Sequence, residues 1–161
     1  MIRNYKVLNE TKVLHKKREK LSKMEIIEYS LLFIISNHLN IASNRINELK
    51  DLRFSNNQNE DLRNFIVSTI SAVEDNDKAK AQIQKKYSSF LKDIEENSNI
   101  KFVTKDKNDQ EILELLNELI NDFVEQSNLK KIESLEKKLI NNLDENSYSE
   151  LLRLKSQINR D

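Results

Sequence analysis

The chain has 161 residues, carries 27 Lys and Arg against 27 Asp and Glu, and contains no Gly, Pro, Cys or Trp. Because phosphate-binding turns need backbone without a Cβ, these zeros exclude a P-loop and a dinucleotide-binding turn, and they exclude disulfides and thiolate catalysis. Tight hairpin turns also favour Gly, so we expect an all-α fold with long helices. No apolar run approaches the roughly 20 residues of a membrane span, so we expect a cytoplasmic protein without membrane contact.

Residues 1–23 form a basic segment with eight Lys and Arg against two Glu, a net charge of +6. We interpret it as an N-terminal linker or a loosely docked helix with solvated lysines. The alternative is an arm that contacts nucleic-acid phosphates through Lys16, Lys17 and Arg18. The remaining residues must carry a net charge of −6, which argues against a broad nucleic-acid surface on the body of the protein.

The middle of the chain is patterned as a set of helices. Residues 24–38 are apolar on most sides, which predicts a buried central helix. Further helices are predicted over residues 41–52, 57–73 and 78–96, with some of the 21 Asn residues as caps. Ile100, Phe102 and Thr104 alternate with other residues, and without a second strand we predict an extended loop with Phe102 in the core.

The last third of the chain is predicted to be one long helix followed by a short one. Residues 108–142 contain no helix breaker and would make a helix of roughly 50 Å, and residues 147–159 make the final helix. Apolar residues on the two helices can pair as an antiparallel hairpin: Ile132, Leu135 and Leu139 with Leu151, Leu154 and Ile158. The hairpin either folds back onto the body or protrudes and offers further apolar residues to another protein.

If the hairpin protrudes, its apolar and charged residues near the tip are the candidate partner-binding residues. These are Leu139, Leu143, Tyr148, Leu151, Leu152 and Lys155.

The sequence gives no sign of catalysis, metal binding or a cofactor. The two histidines, His15 and His38, lie on different predicted elements and form no paired ligand motif. Four carboxylates form a stripe along the long helix, which is typical of a solvated flank: Glu111, Glu114, Glu118 and Glu125. A nucleophile elbow would require Gly. We therefore predict no catalytic, metal-binding or cofactor-binding residue.

Four segments, in this order, resemble the C-terminal helicase-binding domain of bacterial DnaG-type DNA primases. Glu28–His38 is similar to that domain's first helix. Leu49–Ile66, LKDLRFSNNQNEDLRNFI, is similar to its Phe-Ser turn and the capped helix that follows. The helix from Asp109 onward resembles its long connecting helix, and Leu135–Asn159, with ELLRLKSQ, resembles its closing hairpin.

The resemblance implies a helical bundle of about five to six helices over residues 24–127 and a C-terminal helical hairpin over residues 128–161. In that family the hairpin docks on the N-terminal domains of the replicative DnaB-type helicase and brings primase to the replication fork. The family's zinc ribbon and catalytic core need Cys and Gly, which this sequence lacks. It would then be a monomeric interaction domain rather than an enzyme.

Two other functions remain open from the sequence. The first is a small helical nucleic-acid-binding protein that uses the basic arm, for which binding falls steeply with salt. The second is a self-associating helical scaffold in which the long helix pairs with its copy.

Overall fold

The structure is a computed structural model, and it describes residues 21–141 and 144–158. Within these residues the protein is all-α, as predicted, and consists of eight helices. Their bounds are α1 Lys23–Asn37, α2 Leu39–Ser43, α3 Ile46–Asp51, α4 Asn57–Ala72, α5 Asn76–Asn97, α6 Ile100–Thr104, α7 Asp109–Asn141 and α8 Glu145–Ile158.

Helix α1 is the centre of the bundle, as its apolar surface predicts. It begins with a capping box in which Ser22 and Glu25 satisfy each other's backbone N–H groups. Leu31 and Ile34 are fully buried, and α4, α5 and α7 pack around the helix. Burying a large apolar side chain contributes roughly 1.5–3 kcal/mol, so this helix supplies much of the main core.

Helices α5 and α7 both run antiparallel to α1. The Tyr29 hydroxyl donates to Asp93 Oδ2 at 3.2 Å, which places the end of α5 beside the first half of α1. Asn40 Nδ2 donates to Asp109 Oδ2 at 3.1 Å, which places the start of α7 at the opposite end. Helix α7 therefore passes along α1 and continues beyond it.

A buried polar network fixes the turn between α3 and α4 against α1. Glu28 is 0% exposed, and its carboxylate accepts from Ser55 N and Oγ, both at 2.7 Å, and from Asn59 Nδ2 at 2.6 Å. Three donors offset the cost of burying the charge. The neighbouring Arg63 is also buried, and it donates to the carbonyls of Lys50 and Leu52 and to Glu60.

Two local predictions for the body of the protein are wrong. The predicted helix over residues 41–52 is interrupted at Asn44–Arg45 and forms α2 and α3. Residues 100–104 form the short helix α6 rather than an extended loop, because a helix satisfies its own backbone groups without a partner strand. Ile100 and Thr104 share the buried face of α6, so Phe102 points outward and is 81% exposed. The six helices predicted along the chain therefore become eight in the described residues.

Helix α7 is a single helix of 33 residues, about 50 Å long, as predicted. Its first half contributes Ile112, Leu116 and Phe123 to the main core. Its second half contributes Ile132 to a separate cluster with Leu151 of α8. The long helix therefore connects two hydrophobic clusters.

Candidate functional site

The second half of α7 and all of α8 form an antiparallel hairpin with a hydrophobic cluster of its own. The six residues predicted to pair across the hairpin make up this cluster: Ile132, Leu151 and Leu154 are buried, and Leu135, Leu139 and Ile158 are packed against them. None of these six residues belongs to the main core. In the described residues α8 packs chiefly against α7, so the hairpin extends from the bundle rather than folding back onto it.

Asp144 caps the start of α8. Its carboxylate accepts from Asn146 N at 3.4 Å, from Ser147 N at 3.1 Å and from Ser147 Oγ at 2.6 Å. The helix begins at Glu145, and Asn146 and Ser147 lie within its first turn. The Asp144 carboxylate accepts hydrogen bonds from free backbone N–H groups and also interacts favourably with the positive end of the helix dipole. Asp144 is therefore a favourable residue at the N-cap position of α8.

Acidification is expected to weaken this cap. The hydrogen bonds from the Ser147 side chain and backbone hold the pKa of Asp144 below its ordinary value of 3.8. The stabilisation of α8 is therefore complete above that ordinary pKa and is lost as pH falls through the lower folded pKa. In an NMR titration the Asn146 and Ser147 amide signals should shift with a midpoint below 3.8.

The matched variant for this titration is Asp144→Ala, which should abolish the shift at both amides. A midpoint at or above the ordinary carboxyl value would contradict the capping role of Asp144.

Three exposed apolar residues lie on the hairpin outside its cluster: Ile140 is 84% exposed, Tyr148 52% and Leu152 51%. The ion pair between Lys155 Nζ and Glu136 Oε1, at 2.7 Å, crosses from α8 to α7 and marks one side of the hairpin. Ile140 follows Glu136 by four residues, and Leu152 and Tyr148 precede Lys155 by three and seven. Helical periodicity therefore puts all three on the side that the ion pair marks. We call Ile140, Tyr148 and Leu152 the hairpin face.

The structure separates the predicted partner-binding residues. Tyr148 and Leu152 lie on the hairpin face, and Lys155 is exposed at its edge. Leu151 is only 7% exposed, and both it and the half-buried Leu139 belong to the hairpin cluster, so they support the face rather than form it. Their burial follows from the antiparallel pairing of α7 with α8.

Four other predicted site residues lie outside the described residues. These are Leu143 and the three basic residues of the possible nucleic-acid arm, Lys16, Lys17 and Arg18. Conversely, Ile140 was not predicted as a partner-binding residue. Ile140 follows Glu136 by four residues and lies away from the side that carries Ile132, Leu135 and Leu139. This spacing could have identified Ile140 as an exposed residue of the hairpin.

The described residues were also inspected for a membrane-spanning helix and for a metal site. Among them, no helix is both long and apolar enough to cross a membrane. Nor do three His, Asp or Glu side chains in this part of the chain come together as metal ligands would. The hairpin face is a group of exposed apolar side chains that neither kind of site explains.

Comparisons with known proteins identify no relative. No protein-family model matches the chain, and the searches of curated proteins and of solved structures also find no match. The features of the chain that bear on its function are therefore the hairpin and the four segments that resemble the primase domain.

Proposed function

We propose that this protein is a primase-type helicase-binding domain that uses its C-terminal hairpin to bind a replicative helicase and recruit primase to the replication fork. The observation that carries the proposal is the hairpin face, which leaves Ile140, Tyr148 and Leu152 exposed on an element with its own hydrophobic cluster. The ordered resemblance of the four segments supplies the kind of partner. In this proposal the chain carries out no chemistry of its own.

The composition of the hairpin face suits a protein partner. Tyr is among the residues that contribute most to binding energy at interfaces, and clustered apolar side chains on a surface mark interaction sites. The Lys155–Glu136 ion pair lies at the edge, where charged groups set orientation more than affinity. A stable interface buries about 800 Å² on each partner, so the polar flanks of both helices must also take part.

Calorimetric titration of the full chain into the hexameric replicative helicase tests the proposal. We expect saturable binding with a dissociation constant of tens of micromolar or tighter. The control is the same helicase without its N-terminal domains, which should not bind, because the resemblance implies that the hairpin docks there. Absence of binding by folded protein at these concentrations would refute the proposal.

A further inference from the structure

The sign of the charge reverses along α7. Residues 109–129 contain six Asp and Glu and no Lys or Arg, whereas residues 130–141 contain four Lys against two Glu. The reversal falls between Phe123, which belongs to the main core, and Ile132, which belongs to the hairpin cluster. The positive charge therefore begins where the hairpin begins. We call its four exposed lysines the hairpin lysines: Lys130, Lys131, Lys137 and Lys138.

Most carboxylates near the hairpin lysines are engaged with other groups. Glu136 pairs with Lys155 of α8, and Arg153 donates to both oxygens of Glu150, at 2.6 and 2.8 Å. Asp144 caps α8. Within the described residues none of the four hairpin lysines forms an ion pair. Their ammonium groups are therefore available to a partner.

Two hairpin lysines lie on the side of the hairpin that Glu150 marks. The pKa of Glu150 is held below its ordinary value first by the side-chain hydrogen bond from Arg153 and, to a smaller extent, by the positive charge of Lys131. Glu150 and Lys155 are five residues apart on α8, so they lie on different sides of that helix. Lys138 follows Lys131 by seven residues and lies about 10 Å further along the same side of α7. This side is therefore not the one that carries the hairpin face.

A shallow groove of about 350 Å³ lies along this part of α7. Its lining contains three of the hairpin lysines against one carboxylate, with one hydroxyl and one amide group: Lys130, Lys137, Lys138, Glu133, Ser134 and Asn141. None of these six side chains is apolar or aromatic. The groove therefore presents positive charge and hydrogen-bonding groups to whatever approaches it.

The helix dipole explains only part of this charge. Lys138 lies in the last turn of α7, where a cation interacts favourably with the negative end of the helix. Lys130 and Lys131 lie about three turns before the end of the helix, and the effect of the dipole falls off within the last turn. A contribution to helix stability therefore does not account for these two lysines.

We propose that the hairpin lysines dock on an acidic surface of the protein partner that the hairpin binds and accelerate the encounter between the two proteins. This inference rests on the proposed function, in which the hairpin face is the apolar centre of the interface. Charged groups at the rim of an interface steer association and fix orientation, and apolar anchors at its centre resist dissociation. The same acidic surface repels the first half of α7, so the partner approaches from the tip of the hairpin.

A nucleic acid fits the hairpin lysines less well than a protein does. The chain has no net charge, and the lining of the groove has no aromatic ring on which a base could stack. The exposed apolar side chains of the hairpin face lie on the same two helices. Apolar residues at the centre with charged residues around them are the composition of a protein interface.

Stopped-flow mixing of the full chain with the replicative helicase tests the inference. We expect Lys131→Gln/Lys138→Gln to lower the association rate constant roughly fivefold in about 50 mM salt and to leave the dissociation rate constant unchanged. The difference should disappear in about 500 mM salt, because salt screens charges across the approaching surfaces. The matched control is Lys50→Gln/Lys105→Gln, which changes two exposed lysines outside the hairpin and should alter neither rate constant.

A substitution on the hairpin face gives the opposite kinetic signature. Leu152→Ala keeps the charge and should raise the dissociation rate constant while the association rate constant stays nearly the same. Far-UV circular dichroism should show unchanged helical content in both hairpin variants.

Three results would contradict the inference in different ways. Equal association rate constants for the hairpin-lysine variant and its matched control would overturn the inference and leave helicase binding intact. Absence of helicase binding by the unmodified chain would refute the proposed function and this inference with it. Weaker binding of a DNA duplex by the hairpin-lysine variant, with unchanged association to the helicase, would assign the lysines to nucleic acid instead.

Discussion

Leu152→Asp is expected to weaken binding of the replicative helicase at least tenfold without reducing the helical content of the protein. Leu152 is half-exposed on the hairpin face, so a carboxylate there is hydrated in the free chain. In the complex the same carboxylate would be buried without a partner, and about 1.4 kcal/mol of that desolvation cost already corresponds to a factor of ten in affinity. Calorimetric titration measures the affinity, and far-UV circular dichroism measures the helical content.

Two further substitutions on α8 serve as controls for this result. Gln157→Asp introduces the same charge at an exposed position away from the hairpin face and should bind normally. Leu154→Asp places the charge inside the hairpin cluster and should reduce helicity, because Leu154 is buried there. Loss of helicity in Leu152→Asp would mean that Leu152 belongs to the hairpin interior. Normal binding by a folded Leu152→Asp would show that the helicase contacts another surface.

Glu28→Ala is expected to lower the free energy of unfolding by about 3 kcal/mol or more. The substitution removes the acceptor for Ser55 N, Ser55 Oγ and Asn59 Nδ2 and leaves these donors unsatisfied between α1 and the α3–α4 turn. For a chain of this size such a loss corresponds to a fall in melting temperature of roughly 10 °C. Urea unfolding followed by circular dichroism measures the free energy directly.

The comparison for Glu28 uses one exposed and one conservative substitution. Glu114→Ala removes an exposed carboxylate that accepts only from Gln110 Nε2 in the described residues, and it should change the free energy by less than about 0.5 kcal/mol. Glu28→Gln should retain part of the stability, because the Asn59 amide can reverse and keep one hydrogen bond to the new side chain. Equal stability of Glu28→Ala and Glu114→Ala would show that the network contributes little.

The local hydrophobic pattern was sufficient to predict the long helices and the pairing within the hairpin, but not the short helices α2, α3 and α6. The apolar surface of residues 24–38 identified the central helix. The spacing of Ile132, Leu135 and Leu139 identified the side of α7 that contacts α8. Such patterns are reliable because helical periodicity fixes which residues share a face, whatever packs against it.

The burial of Glu28 could not be predicted in this way. Its three hydrogen-bond donors come from Ser55 and Asn59, which are 27 and 31 residues away in the chain. A carboxylate in a helix is usually exposed, and only tertiary contacts show that donors converge on this one.

The sequence alone determined that the protein is helical, that one helix lies at its centre and that a long helix carries a hairpin, because composition and periodicity act locally. Only the tertiary structure decided that Phe102 points outward and that Leu151 is buried while Leu152 is exposed. Each of these depends on which neighbouring element covers a given face. Packing between elements selects that face, and the sequence of a single segment does not encode it.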